Sequence, residues 1–293
     1  MKFRFIISKW ANFYFFVQNL SEWHFSNRKD YNVLWRNELG QFSSEEENAL
    51  KQFKEIHLRY PFGKLYLGRQ FFLKKNPWDI LAKKLSKEDF IAVKNTFFLL
   101  QNKFDLLWNK ELPLLLQWQK ELNDKLNNLL LTKSIINSLK IIFNTPPSKS
   151  EITINLLPSS VERTGGGANI DDKNISLEIS RYPTEGINHA IGIMWHEIIH
   201  LCFQNQYFFP FVLEYFSNNR QKADLVNEVT ISAIFPRGIL GIRLLKNKPP
   251  YKLTNQINPK QTIQILDLIK EYVDNKKYLD EKYIKTVVEI LKI

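Results

Sequence analysis

Residues 185–205 read EGINHAIGIMWHEIIHLCFQN, and the placing of the rest of the chain follows from their periodicity. Ile187, Ile191, Met194, Ile198 and Leu201 recur at helical spacing, so a helix with an apolar back face is predicted over this stretch. It carries Trp195-His196-Glu197-Ile198-Ile199-His200, an H-E-x-x-H pattern. Residues four apart on a helix lie about 40° from each other and one turn up. Both imidazoles therefore converge on one point, where they can hold a zinc ion at ~2.0–2.1 Å. Glu197, about 100° from His196 at the edge of that face, can reach a water on such a metal without ligating it, the position of a general base.

Outward from this helix the texture changes. Upstream, residues 151–157 (EITINLL) alternate and read as a strand, as do residues 174–180 (NISLEIS), with Ile175, Leu177 and Ile179 on one face. Between them Gly165-Gly166-Gly167-Ala168-Asn169 reads as a flexible turn. Further helices are expected near 220–235, 259–274 and 278–292. Before the strands, Asn144-Thr145-Pro146-Pro147-Ser148 is a run of turn residues. It divides the chain into a helical N-terminal region, 1–145, and a second domain, 146–293. In the first, Ser43 or Ser44 with Glu46 or Glu47 forms a capping box, Pro77 suits the first turn of a short helix, and Ser86 with Asp89 begins another. Pro113 is expected to break that helix. The fold class expected is α+β, predominantly α-helical, with a small sheet and an active-site helix.

Composition narrows the chemistry. The 293 residues include 44% hydrophobic ones, enough for a substantial core, and one cysteine, which excludes both an internal disulfide framework and a zinc site of several thiolates. The formal charge of +11 is spread and interleaved with acids, and no nucleic-acid signature accompanies it. The densest basic-aromatic stretch, Arg59 to Lys84, reads as a solvated face, and nucleic acid is not an expected partner. The N-terminus begins like a signal peptide, but Lys9 and Asn12 interrupt the apolar run and no cleavage site follows. No uninterrupted apolar run approaches the ~20 residues of a membrane span. A cytoplasmic location is the default expectation.

A catalytic zinc takes three protein ligands and keeps one position open. His189 shares the face of His196 but sits two turns earlier, ~10 Å along the axis, too far to bind the same ion. His24 and His57 are remote in sequence and read as structural or exposed. A downstream carboxylate is the natural third ligand, with Glu228, Asp224 one turn earlier and Glu214 as the candidates. Cys202 falls off the histidine face and reads as core.

The pairing of His196-Glu197-x-x-His200 with Asn227-Glu228 on a later helix resembles the gluzincin metallopeptidases, the thermolysin-like superfamily, over about residues 150–235. The resemblance implies His196, His200 and Glu228 as zinc ligands, Glu197 as general base, Zn²⁺ as cofactor and a peptide or protein as substrate. It also implies that a strand before the metal helix, here 174–180, forms the cleft rim and pairs with extended substrate. Two positions depart from the pattern. Ser232 stands where thermolysin-like enzymes carry an aspartate, and Ala168 stands where gluzincin aminopeptidases place an amine-binding glutamate. Tyr182, Tyr207, Tyr215, Arg220 and Arg237 are all plausible oxyanion donors, and no spacing rule selects among them. The rival expectation is a non-catalytic basic helical binding protein whose zinc site is structural or vestigial, a structural one being closed by Asp224 and Glu228 together.

Overall fold

A computed structural model describes residues 1–23, 32–60, 77–126, 129–159, 165–169, 174–180 and 186–293. The fold is α+β and predominantly helical, with one small mixed sheet, as the sequence predicts. Its elements are β1 (Lys2–Ile6), α1 (Lys9–Ser21), α2 (Val33–Leu39), α3 (Ser44–Arg59), α4 (Trp78–Lys84), α5 (Lys87–Leu126), α6 (Leu129–Ile142), β2 (Glu151–Ser159), β3 (Gly165–Asn169), β4 (Asn174–Ser180), α7 (Ile187–Cys202), α8 (Phe208–Tyr215), α9 (Arg220–Ile234), α10 (Ile239–Leu245), α11 (Pro259–Asp274) and α12 (Glu281–Leu291).

The sheet has the order β1-β2-β4-β3. β1, β2 and β4 run parallel, and β3 is antiparallel to β4, with Gly166 opposite Leu177 and Ala168 opposite Ile175. β2 is buried from Ile152 to Ser159, as expected of a strand covered on both faces. Two sequence expectations change here. The glycine-rich segment 165–169 is a strand rather than a turn, and β3 covers β4, so that β1 and β3 are the sheet's edges among the described residues. Three glycines carry no β-propensity; pairing with β4 and the close passage over α7 described below hold them extended. β1 was hidden in a stretch that resembles a leader. Its Lys2-Phe3-Arg4-Phe5 alternation pairs it with β2 across the boundary expected at 145/146.

Helix α1 is buried all round from Ala11 to Ser21, the pattern of a helix inside a core. It lies between β2, whose Leu156 carbonyl accepts from Asn12 Nδ2 at 3.2 Å, and the α3–α5 layer, where the Phe13 and Phe104 rings stack at 4.2 Å. The capping box of α3 forms between Ser43 and Glu46, and Asp89 N–H bonds the Ser86 hydroxyl at 3.1 Å at the start of α5. Pro113 does not break α5, which continues to Leu126. Pro113 is exposed, so water can satisfy the carbonyl its ring frees, while Phe104, Leu107, Leu115 and Leu122 keep an unbroken buried stripe opposite.

Helix α7 packs on β3 and β4. Ile191, Met194, Trp195 and Ile198 are fully buried, and Phe3 of β1 meets the Trp195 ring edge-on at 5.7 Å. Residues Arg220–Leu245 are long and apolar enough, by length and composition, to cross a membrane. Here they form α9 and α10, with a turn at Phe235–Pro236 between them, and 72% of their apolar window is buried in the fold. α8 and α10 are short helices that the periodicity did not announce.

Candidate metal centre

His196 and His200 project from one face of α7, and Glu228 reaches them from α9. His196 Nε2 and His200 Nε2 are 3.0 Å apart, and the Glu228 carboxylate lies 3.3 Å from the first through Oε1 and 3.4 Å from the second through Oε2. Ligands 2.0–2.1 Å from a tetrahedral zinc stand about 3.3–3.4 Å from one another. The carboxylate already stands at that spacing from each ring, and the two imidazole nitrogens are about 0.3 Å closer, in the chemistry zinc prefers when thiolates are missing.

The far nitrogens are committed. His196 Nδ1–H donates to the Phe235 carbonyl at 3.0 Å, and His200 Nδ1–H donates to Gln204 Oε1 at 2.9 Å. Each ring, when neutral, therefore turns its Nε2 lone pair toward the shared point, the tautomer a metal requires. Gln204 Oε1 accepts a second bond, from Asn227 Nδ2 at 2.7 Å, and Ser232 Oγ donates to Glu228 Oε1 at 3.3 Å. Asn227, one residue before Glu228, thus fixes the partner of His200. Ser232, one helical turn after Glu228, holds the carboxylate itself. Gln204 lies in a 3₁₀ turn after α7, and no spacing rule points to it.

Burial alone would lower the His196 pKa. The hydrogen bond and charge of Glu228, the charge of Glu197 and the Phe235 carbonyl overcome that and raise it to about 9. For Glu228 burial works upward, and bonds to the two histidines outweigh it, holding the carboxyl far below the usual range. The pair is thus arranged for a positive charge between them.

Glu197 lies under the edge strand. A Cβ on Gly166 would stand 2.6 Å from Ile193 Cγ2 and 3.3 Å from Glu197 Cγ. Only glycine lets β3 pass this close to the helix, so its backbone runs directly over the Glu197 side chain. At the other end of the motif, a Cβ on Gly192 would stand 2.9 Å from Pro236 Cα, so glycine there admits the turn that carries the Phe235 carbonyl.

The remaining candidates lie elsewhere. Asp224 points away to Arg220, 3.7 Å distant, and is not part of the cluster; Glu214 is exposed. His57 is buried between Phe53 and Tyr14, whose hydroxyl is 2.9 Å from Nε2. His189 lines a cavity at the start of α7, as does Arg237. Tyr207 stacks on Phe211 and Tyr215 meets Phe216 edge-on. Cys202 is buried, which pushes its thiol up to about 11, as for an inert core residue. His24, Tyr182 and residues 61–76 of the basic-aromatic stretch lie outside the described residues.

In comparisons with known proteins, no family model, no curated protein and no solved structure matches this chain.

Proposed function

We propose that this chain is a zinc-dependent peptidase of gluzincin type, with His196, His200 and Glu228 as the metal ligands and Glu197 as the general base. The observation that carries the reading is the near-equal spacing of two imidazole nitrogens and one carboxylate, both rings being fixed in the ligating tautomer from behind. A zinc ion held there supplies Lewis acidity, acidifying water and polarising a carbonyl oxygen.

The chain's own residues do the rest. Glu197 follows His196 on α7 and is not one of the three clustered donors. Its carboxylate takes a proton from the attacking water and passes it to the departing amine. Gly165–Asn169 offers an extended main chain whose outer edge is uncovered among the described residues, and a substrate peptide can add there as a further strand. With glycine at 165, 166 and 167, side chains do not obstruct that approach. The edge stands over Glu197, so a peptide paired with it is carried past the proton-handling carboxylate. A structural site would be closed by a fourth protein ligand, whereas the cluster among the described residues has three.

The test is Glu197→Gln, which keeps shape and metal ligands but removes the base. Peptide cleavage should fall at least a hundredfold with bound zinc unchanged. Equal cleavage by variant and wild type would remove Glu197 from the mechanism.

A further inference from the structure

Asn247, in the loop after α10, is half-buried and is not one of the groups clustered at the metal centre. Its Nδ2 donates to the Pro236 carbonyl at 2.8 Å and to the Asn188 carbonyl, in the first turn of α7, at 3.2 Å. Both hydrogens of the amide are therefore engaged. The side chain is aimed by its own backbone. α10 ends at Lys246 in the left-handed conformation, φ 61°, and the Asn247 N–H closes the helix on the Gly241 carbonyl at 3.1 Å. In return, Asn188 Nδ2 donates to the Leu245 carbonyl at 2.8 Å. Two asparagines thus tie the first turn of α7 to the end of α10 and to Pro236.

Glycines clear the space for this tie. A Cβ on Gly192 would stand 2.9 Å from Asn247 Nδ2, and one on Gly241 would run into the Pro236 carbonyl oxygen. Only with both positions bare can the amide enter between α7 and the turn.

Pro236 follows Phe235, whose carbonyl accepts from His196 Nδ1–H at 3.0 Å. Along α7, Asn188, Gly192 and His196 succeed one another at four-residue intervals, so they lie on one stripe of the helix. The turn is fastened to that stripe at two points ~12 Å apart along the axis: at Asn188 through Asn247, and at His196 through the Phe235 carbonyl. A carbonyl held only by the ring that donates to it would follow the ring. Held from behind by Asn247, it fixes the ring instead.

We propose that Asn247 is a positioning residue of the metal centre. Acting through Pro236 and the Phe235 carbonyl, it sets the orientation of the His196 ring and so the aim of Nε2. Its bearing on metal rests on the peptidase reading; its hold on the ring does not.

The test is nuclear magnetic resonance of the ¹⁵N-labelled full chain, with the His200 Nδ1–H, bonded to Gln204, as the reference on the same helix. In the metal-free wild type both side-chain hydrogens of Asn247 should exchange slowly with solvent; free exchange would overturn the tie without recourse to any variant. Asn247→Asp keeps the size and sets oxygens against the two carbonyls, and Asn247→Ala, milder for folding, leaves both to water. In either variant the His196 Nδ1–H should exchange about tenfold faster while that of His200 is unchanged, and zinc affinity, by chelator competition, should fall about tenfold. A folded variant in which His196 keeps its wild-type exchange, or in which both histidines loosen equally, would overturn the positioning role. Wild type that binds no zinc, with the His196 signal still dependent on Asn247, sinks the metal reading and leaves the hold on the ring standing.

Discussion

Gln204 accepts two hydrogen bonds through one oxygen, from His200 Nδ1–H and from the Asn227 amide. Replacing it by Leu leaves both donors without that partner inside the fold and releases the ring to either tautomer. Metal affinity should fall by about 10- to 100-fold, read by competition with a calibrated chelator; an unchanged affinity would mean that the bond does not orient the ligand. The His196–Glu228 pair gives a second expectation. With the His196 pKa raised to about 9, a proton occupies the ligating position at neutral pH and must leave before metal enters. Apparent affinity should therefore climb by close to tenfold per pH unit from 7 and level off near 9, and isothermal titration in buffers of different ionisation enthalpy should show proton release over the same range. His196, Glu197 and His200 were legible because four-residue spacing converts directly into convergence on one helical face. Glu228 was legible only through resemblance. Gln204 was not legible, since a 3₁₀ turn folds it back onto α7 and sequence distance carries no trace of that contact.

At the scale of elements, two glycines decide how closely neighbours approach α7. Gly192 faces the backbone of Pro236, and Gly166 faces Ile193 and Glu197. Gly192→Ala should push the α9–α10 turn outward, lower stability by about 1–3 kcal/mol in thermal melts and weaken zinc binding, because the Phe235 carbonyl moves with the turn. Retention of both properties would show that the turn yields without disturbing His196. Most helices were readable from apolar periodicity and caps, α3 and α11 most plainly. The edge strand was not, because glycine encodes permission for close contact and leaves the element type open. Pro113 misled for the converse reason: a proline on the exposed side of a long helix with a strong apolar stripe is outvoted by packing.

For the whole molecule, one core runs from Phe5 of β1 through α1 and α5 to Leu291 of α12, so the N-terminal helices and the metal helix share their buried surface. His57 sits deep in this core, 4% exposed, and burial, only partly offset by its bond to the Phe53 carbonyl, lowers its pKa to about 4 from an ordinary 6.5. The unfolded chain takes up the proton first, so His57 costs no stability above pH 6.5 and progressively more as pH falls toward 4. Between pH 7 and 4.5 the loss should be about 2–3 kcal/mol in urea melts. It should largely vanish in His57→Gln; a parallel loss in the variant would assign the acid sensitivity to other groups.

Metal content bears most directly on the proposed zinc centre. Protein purified without chelators and analysed by mass spectrometry and X-ray absorption should hold about one zinc per chain at ~2.0–2.1 Å from nitrogen and oxygen, with no sulfur in the shell. Glu228→Ala should weaken that binding, and Asp224→Ala should leave it unchanged. Wild-type protein that binds no zinc, or binds it as tightly without Glu228, would refute the assignment of these three residues.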